Sequence, residues 1–137
     1  MRYLAIDYGL KRTGLAICDK GETIASPFEV LAGTMEMVIG KIAKTILDEE
    51  IEGVVIGLPL NMDDSEGGQA RLVRKFAEEL EKVTDLPIHF QDERLSSFGA
   101  EEKLQAAEFT RKKKKKRLDA VAAAEILGAF LASQMDV

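Results

Sequence analysis

Residues 53–58 read GVVIGL, a short and wholly apolar run near the middle of the 137-residue chain. Such a run is typical of a β-strand that is buried on both faces of its sheet. Before it, apolar residues recur at helical spacing and predict an amphipathic helix over residues 34–52. After it, a second helical stripe covers residues 70–83. A strand between two helices predicts parallel strand pairing with right-handed crossovers.

The N-terminal segment has strands but no helical pattern. Residues 2–7, RYLAID, predict a buried strand that ends in an acid, and residues 15–19 predict a second strand. Residues 20–22, KGE, predict a hairpin turn, and residues 23–31 can run back as a third strand, with Pro27 at a sheet edge. The chain is therefore expected to open with a three-stranded antiparallel meander.

The C-terminal segment completes the pattern. We predict a fifth strand over residues 87–91, a helix through Lys103 and Leu104, and a last helix over residues 118–133. The fold class is α/β: a mixed five-stranded sheet, three antiparallel strands and then two parallel ones, flanked by helices. A length of 137 residues predicts one domain, residues 1–137.

Composition indicates the cellular compartment in which the protein works. Cys18 is the single cysteine, which rules out an internal disulfide and fits a reducing cytoplasm. The N-terminus lacks the apolar stretch of a secretory signal. The longest apolar stretch, residues 120–132, is interrupted by Glu125 and is shorter than the roughly 20 residues of a membrane span. We therefore expect a soluble cytoplasmic protein.

Charge is unevenly distributed along the chain. The net charge is −5, yet residues 111–117 are seven consecutive basic residues. Without them, 12 basic residues would face 24 acidic ones, a net charge of −12. One basic strip on an acidic body suggests a positioned contact with nucleic acid, through residues such as Lys113, Lys114 and Lys115. The alternative is a solvated tether.

Acids follow two of the predicted strands. Asp7 stands where the first strand opens into a glycine-rich segment, a position where α/β folds place ligands. Arg12, five residues later, can bind phosphate or steady Asp7. Asp92 and Glu93 end the fifth strand, and alternation lets only one of them face a shared site. Turn capping and helix capping are the structural alternatives for these acids.

Two further segments carry candidate site residues. The loop of residues 57–68 leaves a buried strand and enters a helix, where amides and Ser65 could hold a phosphate. Its acids instead allow a metal site or a structural cap. Asp119 shares a helical stripe with apolar residues, and a carboxylate on a packing face is costly unless it is paired or binds a metal. The lone histidine, His89, is expected to be structural.

Taken together, these segments resemble the YqgF family, also called RuvX, in order and spacing over nearly the whole chain. The matching motifs are DxGxxRxG at 7–14, GLPLNMD at 57–63, SEG at 65–67, DERLS at 92–96 and DAVAA at 119–123. The resemblance implies a ribonuclease-H-like nuclease related to RuvC resolvases. It implies either 5′-end maturation of pre-16S rRNA or Holliday junction resolution.

The resemblance also implies a set of catalytic acids. Asp7 matches the family's first-strand acid, Glu93 the acid of its Asp-Glu-Arg motif, and Asp119 the acid on its last helix. Two Mg²⁺ or Mn²⁺ ions held by these carboxylates would activate water and stabilise the leaving oxygen. The substrate would be pre-rRNA or branched DNA, and the protein a monomer or a homodimer.

Other family positions imply contacts with the substrate backbone. Arg12, Ser65 and Arg94 would take this role. Asp64 departs from the family, which usually has glycine there, so we expect it to resist a left-handed turn or to add charge beside the phosphate.

Two other functional classes share some of these features. Sugar kinases, actin and Hsp70 proteins also open with a β-hairpin of the form Asp-x-Gly-x-x-x-x-Gly, but they need a second lobe for which 137 residues leave no room. Protection by Mg-ATP in a thermal shift would favour that class. A catalytically dead RNA-binding module is the third reading, and it would lack metal-dependent cleavage.

Overall fold

The computed structural model describes residues 1–93 and 111–135, and the side chains of residues 1–93 and 119–134. The elements are β1 (Tyr3–Asp7), β2 (Arg12–Cys18), β3 (Ala25–Ala32), α1 (Met35–Asp48), β4 (Gly53–Leu58), α2 (Gly68–Glu81), β5 (Ile88–Asp92) and α3 (Arg111–Met135). The five strands form a sheet in the order β3-β2-β1-β4-β5. The first three strands pair antiparallel, while β4 and β5 run parallel to β1. The predicted mixed sheet is confirmed, and Pro27 lies on the edge strand β3.

Helices cover the two faces of this sheet. Leu4 and Ile6 of β1 pack with the buried residues of α1 and α2. Tyr3 and Ala5, at the alternate positions, pack against α3. The central strand is therefore buried on both sides, as its apolar sequence predicts. None of the helices in the described part of the chain has both the length and the apolar character needed to span a membrane.

Helix α1 ends earlier than its apolar periodicity predicts, at Asp48 rather than residue 52. Glu50 takes a left-handed φ of 53°. The Ile51 N–H then donates to the Ile46 carbonyl over 3.0 Å. This is the hydrogen bond of a Schellman cap, and the residues after Asp48 continue the apolar spacing without continuing the helix.

The hairpin between β2 and β3 is also shifted from its prediction. Strand β2 begins at Arg12 rather than residue 15, so Gly14 lies within the sheet and not in a turn. Asp19, predicted as the end of the strand, instead closes the turn by accepting the N–H groups of Thr23 and Ile24, each over 2.8 Å. Strand β3 accordingly starts at Ala25 and not at residue 23. The predicted bounds of β5 and α2 differ by one and two residues from those observed.

The start of the last helix was predicted wrongly. Helix α3 begins at Arg111, so the backbone of the whole basic run is helical rather than disordered. Seven consecutive charges have no apolar period to detect, but Lys and Arg are themselves good helix formers. The helix predicted through Lys103 and Leu104 lies outside the described residues.

Candidate active site at the carboxyl end of the central strands

Asp7 ends β1 on the sheet face that α3 covers. Tyr3 and Ala5 are buried beneath α3, and strand alternation puts Asp7 on the same face. Its register partner on β2 is Gly14. Asp7 therefore occupies the carboxyl end of the central strand, where sheets of this kind place their ligands.

Glu93 reaches the same place from the neighbouring edge of the sheet. Its backbone N–H donates to the Leu58 carbonyl over 3.3 Å, which extends the pairing of β5 with β4 by one residue. The carboxyl groups of Glu93 and Asp7 share a hydrogen bond. Alternation along β5 turns Asp92 toward the opposite face. Of the two neighbouring acids, the structure therefore places Glu93 beside Asp7.

Gly57 of β4 makes room for this acidic pair. A Cβ atom at position 57 would overlap the Glu93 carboxylate and would lie 2.5 Å from Cδ1 of Ile126 on α3. Only a residue without a side chain lets Glu93 lie across β4 toward Asp7. Sequence reasoning missed this role. The only signal was a glycine inside an otherwise bulky apolar strand, which often marks a close approach.

Asp119 comes to the site from α3 and is held by two residues of β2. A Cβ atom at Gly14 would overlap the Asp119 carbonyl, so this glycine lets the helix backbone lie directly on the strand. The Arg12 Nε–H donates to Asp119 Oδ2 over 2.7 Å. In this structure Arg12 pairs with Asp119, and not with Asp7 as one of the sequence-based alternatives had it. Gly14, just before the predicted start of the second strand, lies within β2 and contacts the helix backbone.

The electrostatics of the site favour proton sharing between carboxyl groups. Burial, followed by the negative charges of Glu93 and Asp119, raises the pKa of Asp7 to about 8. Burial also raises the pKa of Glu93, while the hydrogen bond from Asp7 works in the opposite direction. Two carboxyl groups this close in a dry site cannot both ionise without a cation nearby.

The donor chemistry of the site suits a hard divalent cation. Asp7, Glu93 and Asp119 offer carboxylate oxygens, the ligands that Mg²⁺ and Mn²⁺ prefer. Burial, and then the negative charge of Glu93 and Asp119, raise the pKa of Asp7, and a cation would offset that charge. Within residues 1–93 and 119–134, no three acidic, histidine or thiol side chains already lie in the arrangement of a metal cluster. Asp119 is engaged by Arg12 through Oδ2, so a three-carboxylate site would share Asp119 with this ion pair or displace Arg12 from it.

The loop between β4 and α2 is closed by its own side chains. The Ser65 hydroxyl donates to Asp63 Oδ1 over 2.5 Å and accepts from Asn61 Nδ2 over 3.0 Å. These bonds order the hairpin-like loop, and the hydroxyl predicted to contact substrate has both partners within it. Asp64 adopts the left-handed conformation, φ 69°, so the expectation that it would resist that turn is wrong.

Several predicted site residues lie beyond what the structure describes. Arg94 is outside the described residues, and for Lys113, Lys114 and Lys115 only the helical backbone is described. His89 packs its ring 5.1 Å from Phe130 and 6.2 Å from Tyr3, in the apolar layer under α3. This packing agrees with a structural role.

The sheet order and the helices on both faces are those of the ribonuclease-H-like fold, and acids lie at the carboxyl end of its central strands. The chain belongs to the RuvX family: the family's sequence model, described as Holliday junction resolvase, matches residues 1–133. The predicted family is confirmed. So is the predicted class of enzyme, a nuclease that hydrolyses phosphodiester bonds.

Curated relatives extend over nearly the same length. A protein of Anaeromyxobacter sp. (strain Fw109-5) is 46% identical over 132 residues, with 96% of each chain covered. One from Maridesulfovibrio salexigens is 44% identical over 133 residues, covering 96% of this chain and 98% of the relative. Both are named as candidate pre-16S rRNA nucleases.

Solved structures share the fold at low sequence identity. Thermus thermophilus RuvC, in complex with a Holliday junction substrate, has a TM-score of 0.63 at 14% identity and covers 98% of this chain and 96% of its own. The fowlpox virus resolvase, in complex with Holliday junction DNA, has a TM-score of 0.59 at 14% identity, with 98% and 99% covered. The ribonuclease-H-like fold class is confirmed by these two likenesses.

Proposed function

We propose that this chain is a metal-dependent endonuclease, a single domain of residues 1–137 that cleaves RNA in the 5′-end maturation of pre-16S rRNA. One observation carries the proposal. Asp7 and Glu93 share a hydrogen bond at the carboxyl end of the central strands, and the charge of Asp119 on α3 acts on Asp7. The three carboxylates come from two strand ends and one helix, and they lie near the carboxyl end of the sheet. Such a group of acids suits metal-assisted phosphodiester hydrolysis.

The three carboxylates are the groups that would hold Mg²⁺ or Mn²⁺, with two ions as the proposed complement. When bound, such ions polarise the phosphoryl group and lower the pKa of water. Asp7 would release its shared proton to solvent water and would then hold the ion as a carboxylate, with Glu93 beside it. Arg12 contacts Asp119 through Nε, which leaves other guanidinium N–H groups to take a phosphate oxygen.

An RNA substrate is supported by the relatives' names, and a nucleic-acid substrate of either kind is supported by charge. The curated relatives are named for pre-16S rRNA. The helical basic run, residues 111–117, precedes Asp119 on α3, and at 1.5 Å per residue it extends the helix about 12 Å beyond that acid. Lys113, Lys114 and Lys115 are the proposed backbone contacts, with Arg94 and Ser65 as further candidates. Ser65 would have to exchange a loop hydrogen bond for the substrate. Pre-rRNA as substrate would place the enzyme in the cytoplasm.

The alternative substrate is a four-way DNA junction, the one named in the family's description. A resolvase cuts two symmetric strands, so it would need a two-fold homodimer, whereas a monomer suffices for a single cut in RNA.

Side-by-side cleavage separates these functions. The purified chain would be given a pre-16S 5′-leader RNA and a synthetic four-way junction, each with Mg²⁺, Mn²⁺ or EDTA. We expect cleavage of the RNA with either ion and none in EDTA. Cleavage of the junction alone would identify the protein as a resolvase rather than an RNA nuclease. Undiminished cleavage in EDTA would show that the reaction needs no metal ion.

A further inference from the structure

The outer face of α2 carries a compact group of cations. Arg71, Arg74 and Lys75, at positions i, i+3 and i+4, are all exposed. The second half of the helix carries acids in their place: Glu78, Glu79 and Glu81. The first turn has no acid and the last turn no base. This is the reverse of the distribution that the helix dipole favours.

This basic half of α2 lies next to the carboxyl end of β1. Gln69 in the first turn donates from Nε2 to the Tyr8 carbonyl over 3.3 Å, and Tyr8 follows Asp7 directly. The Tyr8 ring stacks on Phe76 of α2 with ring centroids 4.3 Å apart. The basic half of α2 therefore lies near the carboxyl end of β1, on the face of the sheet opposite α3.

The three cations are held differently. Arg74 forms a two-pronged ion pair with Glu66, over 2.5 and 2.7 Å, and its guanidinium lies 4.9 Å above the Phe90 ring. Arg71 and Lys75 make no ion pair within residues 1–93 and 119–134. Arg74 is therefore a structural member of the group, while Arg71 and Lys75 are exposed and form no ion pair with the described side chains.

We propose that Arg71 and Lys75 form a second contact with the nucleic-acid backbone, separate from the basic run on α3. The inference rests on the proposed nuclease function and adds a surface to it. Cations then lie on α2 on one side of the sheet and on α3 on the other. A substrate backbone that contacts both helices crosses the carboxyl end of the sheet and passes Asp7. The chain outside the α3 run has a net charge of −12, so a second basic contact adds attraction for a polyanion that the body as a whole repels.

The test compares salt dependence in two charge-matched variants. Binding of a fluorescein-labelled single-stranded RNA would be measured in EDTA, to prevent cleavage, at several salt concentrations. The variant is Arg71→Gln with Lys75→Gln. The control, Lys41→Gln with Lys44→Gln, removes the same charge from exposed positions of α1 beside β3. Arg74 is left intact because its loss would free Glu66. Thermal unfolding checks the fold, and the single variants serve if the double variant is unstable.

We expect the Arg71/Lys75 variant to bind more weakly and its slope of log K against log salt to flatten by about 1.4, which is about 0.7 for each of two contacts. Each single variant should show about half of this, and the control should keep the wild-type slope. If both double variants have equal slopes while the wild-type protein binds and cleaves RNA, the proposed contact on α2 is wrong and the proposed function still stands. A wild-type protein that neither binds nor cleaves RNA or junction DNA would overturn the proposed function, and this inference with it.

Discussion

Arg12 Nε donates to Asp119 Oδ2 over 2.7 Å, an ion pair between residues 107 positions apart that ties strand β2 to helix α3 at the candidate site. The two side chains are 33% and 28% exposed, so solvent screens the pair only in part. Asp119 therefore already has a cation beside it, the Arg12 guanidinium. A metal ion bound at Asp7 and Glu93 therefore has to share Asp119 with Arg12 or displace it.

Arg12→Gln should change metal binding and cleavage in opposite directions. Removing a positive charge beside the acids should tighten Mn²⁺ binding, measured by electron paramagnetic resonance titration of the free ion. Cleavage should fall by roughly tenfold or more, because the guanidinium that orients Asp119 and takes phosphate is lost. Arg12→Lys, which keeps the charge, should retain the wild-type Mn²⁺ affinity. Weaker Mn²⁺ binding in the Gln variant would contradict competition between Arg12 and the ion.

Asp7→Asn should abolish cleavage while the protein stays folded. The substitution preserves shape and can still donate a hydrogen bond to Glu93, but it removes the charge on which metal binding depends. Cleavage rate and thermal unfolding would be measured on the same preparation. More than about a tenth of the wild-type rate would sink the assignment, given the several kcal/mol that metal catalysis contributes.

Glu93→Gln and Asp92→Asn form a matched pair of neutralisations at adjacent positions. Glu93 hydrogen bonds with Asp7, whereas alternation turns Asp92 to the other face of the sheet. We expect loss of cleavage and of Mn²⁺ binding in Glu93→Gln, and near wild-type values in Asp92→Asn. The opposite result would identify Asp92 as the ligand.

The stability of the chelated protein should depend on pH because burial and neighbouring charge raise the pKa of Asp7 to about 8. Its unfolded pKa is about 3.9, so the folded state holds the proton more tightly. Stability should therefore fall as the pH rises from about 4 to about 8 and level off above that. Mg²⁺ should restore stability at the alkaline end, since it replaces the proton. Thermal unfolding of wild type and Asp7→Asn in EDTA checks this: equal pH slopes in the two would contradict it.

Gly57→Ala should damage the site although the change adds a single methyl group. The new Cβ would overlap Glu93 and crowd Ile126, and overpacking of this kind costs about 1–3 kcal/mol of folding stability. Cleavage should fall together with stability because Glu93 is pushed away from Asp7. The control is Gly40→Ala on α1, where a Cβ meets nothing within 4 Å. That change should stabilise the fold by about 0.5–1 kcal/mol. A fully active Gly57→Ala protein would show that Glu93 can be positioned in another way.

Much of the fold could be predicted because its signals are local. The alternation that buries Tyr3 and Ala5 under α3 also sets the side of Asp7, and the same period of two sends Glu93 and Asp92 to opposite faces. The end of α1 was missed because the left-handed Glu50 carries no glycine signal. The first turns of α3 were missed because seven charges have no amphipathic period.

The sequence by itself determined the order of the elements, the mixed sheet and the strand ends at which acids stand, since each depends on residues a few positions apart. Only the tertiary structure decided how those ends fit together. Gly57 lies beneath Glu93 from β5 and Ile126 from α3, and Arg12 pairs with Asp119 across the interface of a strand and a helix. Such contacts depend on the distance between backbones that are far apart in the chain, and no pattern of neighbouring residues encodes that distance.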